Sequence, residues 1–366
     1  MLGFHGPSSQ GTRLAWAARI VPRMAGLAAL IGIGLSGIAA AQSVEAFYKG
    51  RNMTLIVGYA PGGVNDIAGR LVARHLPSHI PGKPNIVVQN MPGAGGLVTA
   101  NHIYNLAEKD GSVIAGLGRA VPQIAFLGDP NARFDPLKFT WLGSSSSYAD
   151  DAYLLLVNSK HPGSTAAALK QPGPALKLGA VAAGSTNLIF AILAKEVLKL
   201  NVDIIRGYTG AAPIFLAMQN GEVDGQVIGL SSVRAGQPHL WNNKEVKGLV
   251  QFGRTTRLAE LPDVPTGREL VSDPNGLALL EFAELPFFMA LPFVAPPALP
   301  PERAKALQGG FMAMHDDKTF RAEATKLELD ISPITADAVV RLLERSAQTP
   351  KDVIARYNEI VSPPKK

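Results

Sequence analysis

The stretch that decides the fold is Thr54–Ala68, TLIVGYAPGGVNDIA. It begins with a short apolar run rich in strand-forming residues, and Pro61–Gly63 then gives a strong turn signal. From Asn65 onward, apolar residues recur at helical spacing. The stretch therefore predicts a strand, a glycine turn and a helix in direct succession.

The same order recurs at Asn85–Ala100, NIVVQNMPGAGGLVTA, and a third strand is predicted at Ser112–Leu117. Strands that alternate with helices predict βαβ units and a parallel sheet. A looser set of strands and helices follows between Tyr153 and Phe252. The chain has 366 residues, which at roughly 100–200 residues per domain suggests two domains. We interpret the second set as a domain inserted into the first.

An inserted domain requires the chain to cross twice between the domains. We place the crossings near Ser144–Ala152 and near Glu284–Pro292. The apolar run Phe287–Val294 is interpreted as an extended segment with a stiff, proline-set exit. Three helices are predicted to finish the chain, at about Glu302–Met314, Ala336–Ser346 and Pro350–Ile360.

The first 41 residues have the features of a secretory signal peptide. Arg13, Arg19 and Arg23 occur there without any acidic residue, and a small-residue apolar run, Ala25–Ala39, leads to an Ala-Ala-Ala cleavage motif. The alternative is a membrane anchor, but the run is shorter than the roughly 20 residues that span a bilayer. We therefore predict cleavage after Ala41 and a periplasmic location.

The charge and cysteine counts exclude several classes of protein. Without the three early arginines, Lys+Arg falls from 35 to 32 against 29 Asp+Glu, which leaves a net charge of +3. A small excess spread along the chain gives no reason to expect nucleic-acid binding. The absence of cysteine excludes disulfides, thiolate metal sites and a lipid-anchored cysteine.

The two glycine turns, at Gly62–Gly63 and Gly93–Gly96, are the candidate binding elements. Parallel sheets bind ligands outside the carboxyl ends of their strands, where the first helical N–H groups have no internal partner and the helix dipole favours an anion. Each turn is either such a site or a plain connection that needs glycine. Two turns after adjacent strands favour the site.

Five side chains are further candidates, each with a plainer alternative. Asp66 lies in the first turn of its helix, where it either caps the helix or meets the ligand. Arg119 ends the third strand. Its guanidinium group either forms paired hydrogen bonds to a ligand carboxylate or lies in solvent. Ser185 and Thr186 stand at a helix start, and Tyr208 follows a strand; these three contact ligand or serve only the local structure.

Motifs for catalysis and for cofactors are missing. Neither turn has the ending of a P-loop or matches G-x-G-x-x-G, and the chain has no G-x-S-x-G and no H-E-x-x-H. His75 and His79 share a helix face, flank a proline and are interpreted as surface residues. We predict no catalytic residue, no metal and no cofactor, and hence a binding protein rather than an enzyme.

Taken together, these residues resemble the receptors of tripartite tricarboxylate transporters, the Bug family. The resemblance rests on the first turn with Asp66, on Asn90 followed by Pro92–Gly96, and on LPDVPT at Leu261–Thr266, in the family's order. It implies a two-lobed α/β protein of the type II periplasmic binding class. Each lobe would be a mainly parallel sheet flanked by helices, with the ligand cleft between the lobes.

The resemblance also implies the ligand contacts. Family members hold one carboxylate of a small organic acid through backbone groups of the first two turns, partly through water, and the second lobe contacts the rest of the ligand. On this chain the implied contacts of the first lobe are Ala60, Gly62, Gly63, Asp66, Ala94, Gly95 and Gly96. Ser185, Thr186 and Tyr208 are the implied contacts of the second lobe. Arg119 is a candidate from its position at the end of the third strand and not from the resemblance.

Three departures from the family pattern leave the ligand open. Val64 and Asn65 replace a usual glycine and threonine, Met91 replaces a usual arginine, and the crossing reads FFMALPFVAPPALP. The ligand is an aliphatic di- or tricarboxylate, or an aromatic acid in a pocket shaped by Met91, Tyr148, Tyr153 and Tyr208.

We therefore predict a monomeric periplasmic receptor that delivers a small organic carboxylate to the permease subunits of a tripartite transporter. The alternatives are a sensor module for a histidine kinase and, less favoured, a periplasmic enzyme. The predicted divisions are a signal peptide at 1–41, the first lobe at 42–146 and the second lobe at 147–284. A crossing and a return to the first lobe with C-terminal helices fill 285–366.

Overall fold

The computed structural model describes residues 43–161, 165–181 and 185–361. The predicted signal peptide lies outside the described residues. The strands are β1 Asn52–Val57, β2 Asn85–Asn90, β3 Val113–Gly116, β4 Thr140–Ser144, β5 Tyr153–Asn158, β6 Leu176–Ala180, β7 Val202–Arg206, β8 Gly225–Gly229, β9 Val246–Phe252, β10 Pro292–Ala295 and β11 Ile334–Thr335.

The helices come between and after these strands. They are α1 Val44–Tyr48, α2 Val64–His75, α3 Leu97–Asn105, α4 Val121–Phe126, α5 Thr186–Glu196, α6 Ala211–Gln219, α7 Leu230–Gly236, α8 Pro238–Asn242, α9 Gly267–Leu270, α10 Pro274–Phe288, α11 Pro301–Asp316, α12 Lys318–Lys326, α13 Ala336–Ala347 and α14 Lys351–Val361. Short 3-10 turns lie at Leu76–His79, Ala94–Gly96 and Ala168–Lys170.

The strands form two sheets, each at the centre of one lobe. The first sheet has the order β11-β4-β10-β3-β1-β2 and the second has the order β7-β6-β8-β5-β9. Both faces of each sheet are covered: in β1, Leu55 and Ile56 belong to separate buried clusters, and in β5, Leu154 and Leu155 do the same. Strands buried on both faces explain why these segments are almost continuously apolar.

Most strands in each sheet point the same way. β1 pairs in parallel with β2 and β3, and β6 pairs in parallel with β7 and β8. The reversed strands are β5 in the second sheet and β10 and β11 in the first. β5 and β10 are reversed because each enters its sheet directly from the other lobe, at the carboxyl edge of the parallel strands.

This topology makes the two carboxyl edges face each other across the crossings. The chain leaves the first sheet after Ser144 and enters the second at Tyr153, opposite Gly229 at the end of β8. It returns at Pro292, which pairs with Ser144. The turns after β1, β2 and β3 therefore lie on the same side of the molecule as the segments after β7 and β8.

The two crossings are bonded to each other and to the first lobe. The Ser145 amide donates to the Leu291 carbonyl at 2.9 Å, and the Ala290 amide donates to the Ser146 carbonyl at 2.9 Å. His315 is fully buried, and its Nε2 lies 2.9 Å from the Ser145 hydroxyl. Burial lowers the pKa of His315 to about 4, so the ring is neutral at physiological pH and anchors the first crossing to α11.

One predicted element was wrong. Phe287 does not open an extended run, because Phe287 and Phe288 are the last residues of α10 and the strand begins only at Pro292. The helix has its own start signal, since Asp273 caps it by accepting from the Gly276 amide and Pro274 takes the first helical position.

The C-terminal helices divide between the lobes. Val339 and Leu343 of α13 are buried in the first lobe, whereas Val353, Tyr357 and Ile360 of α14 are buried in the core of the second. The sequence prediction assigned all of 285–366 after the crossing to the first lobe; α14 instead packs on α5 and α10. The chain thus passes between the lobes a third time, at Gln348–Pro350.

Candidate functional site

The two glycine turns lie side by side at the carboxyl edge of the first sheet. Val57 at the end of β1 is in register with Asn90 at the end of β2. The Asn90 side-chain amide donates to the Tyr59 carbonyl at 2.9 Å, and the Tyr59 hydroxyl donates to the Gly95 carbonyl at 3.3 Å. The structure therefore brings together the two turns that the sequence singled out.

The glycines of these turns adopt conformations that favour glycine and leave the space in front of them open. Gly62, Gly95 and Gly96 have φ of +90°, +65° and +100°, in the left-handed region that other residues rarely adopt. No atom lies within 4 Å of where a Cβ would stand on Gly62, Gly63 or Gly95. A ligand can therefore come close to the backbone here.

Four of the predicted backbone donors are available and two are not. Within the described residues, the amides of Ala60, Gly63, Ala94 and Gly95 have no protein acceptor. The Gly62 amide donates to the Asp66 carboxylate and the Gly96 amide to the Gly93 carbonyl, each at 2.9 Å. The helix start after Gly63 has no side-chain cap, so its first amides also point outward.

Asp66 braces the first turn, and both of its carboxylate oxygens are already engaged. It is 3% exposed and accepts from Gly62, from Arg70 Nε at 2.9 Å and from Asn90 Nδ2 at 2.8 Å. Burial alone would raise the pKa of Asp66, but the hydrogen bonds from Arg70, Asn90 and Gly62 hold that pKa at about 2. The geometry gives Asp66 a positioning role, with its oxygens turned toward the protein.

Arg119 is a half-buried cation without a carboxylate partner in the described part of the chain. It follows β3, and its Cζ lies 4.6 Å from the centre of the Phe287 ring and 5.9 Å from that of Tyr148. Burial raises the pKa of Tyr148 to about 12, which the nearby Arg119 partly counters. A guanidinium that has aromatic neighbours but no carboxylate partner among the described residues is suited to an anion.

An aromatic cluster lies beside Arg119. The Phe287 ring centre is 5.0 Å from that of Tyr148, 5.2 Å from that of Tyr153 and 5.5 Å from that of Phe190. The sequence reasoning included the two tyrosines but missed Phe190 and Phe287. The sequence does contain a signal for Phe287. Asp273 and Pro274 mark the start of α10, and this helix ends at Phe288, which places Phe287 next to the second crossing.

The second-lobe candidates share an edge with one another but do not contact the first-lobe turns. The Ser185 hydroxyl caps α5 by accepting from the Leu188 amide at 3.3 Å. Thr186 opens the helix and is half-buried. The Tyr208 amide donates to the Ala180 carbonyl at 3.3 Å, and its hydroxyl has no partner in the described residues. Within the described residues, no hydrogen bond or ring contact joins these three residues to the glycine turns.

Metal and membrane features can be stated for the described residues. Within them, no group of three or more His, Asp or Glu side chains is placed to hold a metal ion. None of the described helices combines the length and apolar character needed to cross a bilayer. The surface interpretation of the histidine pair needs correction: His75 Nε2 is 2.7 Å from Glu323 and His79 Nε2 is 3.2 Å from Asp317, so both tie α2 and its following turn to α12.

Comparison with known proteins places this geometry in a family context. A sequence profile for a family described as "Tripartite tricarboxylate transporter family receptor" matches residues 70–358. A Cupriavidus necator protein, "UPF0065 protein in gbd 5'region", is 25% identical over 335 residues, which cover 90% of this chain and 94% of that protein.

Two solved structures share the fold. A TctC solute-binding protein from Polaromonas, solved without ligand, aligns with a TM-score of 0.67 at 20% identity and covers 84% of this chain and 99% of that one. A Rhodopseudomonas palustris protein solved with adipate aligns with a TM-score of 0.50 at 20% identity, covering 85% of this chain and 96% of that one. These likenesses confirm the predicted two-lobed binding-protein fold.

Proposed function

Because this chain belongs to the receptor family of tripartite tricarboxylate transporters, we propose that it is a periplasmic receptor for a small organic carboxylate. The acid binds between the two facing carboxyl edges, and the loaded receptor delivers it to the permease subunits of such a transporter. The family and the Polaromonas protein are solute-binding receptors and not enzymes, which confirms the prediction that this protein is not an enzyme.

The observation that carries the proposal is the pair of adjoining glycine turns with unpaired amides. Consecutive backbone N–H groups at a helix start hold an anion without a buried cation. Gly63 begins α2 without a side-chain cap, and Ala94 and Gly95 offer a second set of donors in the neighbouring turn. The fixed position of the first turn follows from the hydrogen bonds of Asp66.

The energetics of this arrangement are adequate for a receptor. A micromolar dissociation constant corresponds to about 8 kcal/mol. Hydrogen bonds to a charged group contribute about 1.5–3 kcal/mol each, so two or three of them supply about 3–9 kcal/mol, and apolar cover of the ligand adds to this. Exclusion of water as the lobes close would strengthen each of them.

The proposed site has two separate positions that could each bind an acid group, and this supports a dicarboxylate ligand. One is the pair of turns and the other is Arg119, whose planar guanidinium matches a second carboxylate. The adipate bound to the Rhodopseudomonas protein is a ligand of this kind. The aromatic rings beside Arg119 would cover the apolar part of the acid.

A thermal-shift screen over mono-, di-, tri- and aromatic carboxylates tests the proposal. A ligand at 100 times its dissociation constant adds about 2.7 kcal/mol to the free energy of unfolding, and we expect dicarboxylates to give the largest shifts. Arg119→Gln should weaken the best dicarboxylate about tenfold or more. The matched control is Arg133→Gln, which changes an exposed arginine whose side chain has no partner in the described residues.

The outcomes separate binding from delivery. If no carboxylate raises the melting temperature, the proposed receptor function is wrong. If a carboxylate binds but cells that carry the permease take it up equally well with and without this protein, capture stands and delivery to the transporter does not.

A further inference from the structure

The crossings divide the space between the lobes into two clefts. On one side lie the turns after β1, β2 and β3 and the segments after β7 and β8, which belong to the proposed carboxylate site. On the other side, β11 and α13 of the first lobe face the loop after β9 and the end of α10 in the second. We call this second space the back cleft; it is bounded by α13, by Gly253–Thr256 and by Phe288.

The back cleft contains a cavity large enough for a small organic molecule. A space of about 530 Å³ is lined by Tyr148, Arg254, Phe288, Arg341, Leu342 and Arg345, among others. A second space of about 220 Å³ adjoins it and shares Phe288, Leu342 and Arg345. Ligand pockets in proteins are typically about 300–1,000 Å³, so the larger space lies within that range.

Arg254 is held rigidly at the inner end of the cleft. Its Nη1 donates to the carbonyls of Tyr148, Ala149 and Asp151 at 3.0, 2.8 and 2.7 Å, and its Nε donates to the Thr256 carbonyl at 3.0 Å. Its Nη2 has no acceptor within the described residues. A cation fixed in this way has little side-chain entropy left to lose when it binds a ligand.

Two more arginines line the cleft from α13. Arg341 and Arg345 are four residues apart and so lie on one helix face. Arg341 has no ion pair in the described part of the chain, and Arg345 approaches only Glu281, at 3.7 Å. Glu281 itself is engaged at 2.7 Å by Arg268. Arg345 thus shares Glu281 with Arg268, and Arg341 has no carboxylate partner among the described residues, whereas Asp150, Asp151 and Glu260 lie close enough to Arg254 to act on its charge.

An unpaired polar group gives a separate indication of a missing partner. The Ser346 side chain is 6% exposed, lines the smaller space, and its hydroxyl oxygen has no hydrogen-bond partner. Buried polar groups are usually hydrogen-bonded, so a hydroxyl that lines a cavity without a partner fits a cavity that takes a polar occupant.

From these contacts we propose that the back cleft is a second ligand site, for an organic anion with one acid group on an apolar body. The acid group lies against Arg341, Arg345 and the free Nη2 of Arg254. The apolar body packs on Phe288 and Leu342. Elements of both lobes line the site, and it lies across the crossings from the glycine turns.

Isothermal titration with 1-naphthoate, a carboxylate on a two-ring body, tests this site in the whole protein. We expect the double variant Arg341→Gln/Arg345→Gln to raise the dissociation constant about tenfold or more, and the affinity to fall with added salt. Both residues are exposed, so the fold should survive, which the unliganded melting temperature checks. Arg133→Gln is the matched control.

A substitution in the first glycine turn separates this site from the proposed carboxylate site. Gly63→Phe should leave naphthoate binding within about twofold while it abolishes the binding of the acid found in the thermal screen. The proposal is overturned if naphthoate does not bind, if the double arginine variant binds it as the native protein does, or if Gly63→Phe removes its binding. Failure of the proposed function would instead appear as a screen without hits.

Discussion

The two carboxyl edges that face each other differ in how their helices begin. In the first lobe, α2 and α3 start after Gly63 and Gly96 and have no side-chain cap. In the second lobe, Ser185 caps α5, and Asn187 joins the Val181 amide to the Val227 carbonyl. One edge leaves donors for an external acceptor, and the other satisfies most of its own.

This difference indicates a division of labour between the lobes. An anion should receive its backbone hydrogen bonds from the first lobe, whereas the second should contribute shape and apolar cover. α6 and α7 begin after Gly210 and Gly229 without a side-chain cap. The first amides of α7 nevertheless donate to Ala152 and Asp151, so α6 is the exception. Three substitutions test the comparison, and they are given in order of expected effect on binding.

Gly63→Phe should have the largest effect. Gly63 has φ of −86°, and no atom lies within 4 Å of where its Cβ would stand. The backbone therefore tolerates a side chain, but the ring would fill the space in front of the free amides. Loss of two charge-assisted hydrogen bonds raises the dissociation constant about 100-fold or more, as measured by titration calorimetry. Gly173→Phe, at an exposed glycine that also has no atom within 4 Å, is the control. Unchanged affinity in Gly63→Phe would remove the first lobe's special role.

Asp66→Asn should have an intermediate effect on binding and a clear effect on stability. An amide cannot accept from all the donors that the carboxylate satisfies, so we expect a loss of about 2–3 kcal/mol in the free energy of unfolding and an affinity about tenfold weaker. Chemical denaturation and calorimetry measure the two. Glu108→Gln, at an exposed carboxylate, should change neither.

The same variant gives a test with pH. The pKa of Asp66 is about 2 in the folded protein against an ordinary value of 3.8. A lowered pKa adds stability above pH 3.8 that is lost as the pH falls through 2. The stability difference between native protein and Asp66→Asn should therefore shrink as the pH falls through this window. A difference that stays constant there would contradict the hydrogen-bonded carboxylate.

Ser185→Ala should have the smallest effect on binding. Loss of the cap costs about 1 kcal/mol of stability, but the affinity should stay within about twofold because the hydroxyl already serves α5. Thr186→Val provides the contrast, since that side chain has no partner within the described residues. If Ser185→Ala weakens binding tenfold, the second edge contacts the acid directly and the division of labour fails.

The sequence predicted the elements that depend on local pattern. The strand, turn and helix around Gly63 were predicted within about two residues, and so were those around Gly95, because apolar period and glycine turns are written in neighbouring residues. The second glycine turn could be recognised as a partner of the first because parallel strands place their carboxyl ends together.

The features that were missed depend on residues far apart in the chain. His75 contacts Glu323 and His315 contacts Ser145, and no local pattern announces either pair. The engagement of the Gly62 amide by Asp66 is local, but the third donor, Asn90, arrives from the next strand. The sequence alone therefore could not show which of the predicted amide donors already bind an acceptor within the protein.

The third connection between the lobes, from α13 to α14, is short enough to limit how far the lobes can separate. From the end of α13 at Ala347 to the start of α14 at Lys351, the backbone can stretch to at most about 14 Å. A wider separation would pull Val353, Tyr357 and Ile360 out of the second core, at about 1.5–3 kcal/mol for each side chain. The packing of α14 on the second lobe thus limits the opening motion of the two lobes.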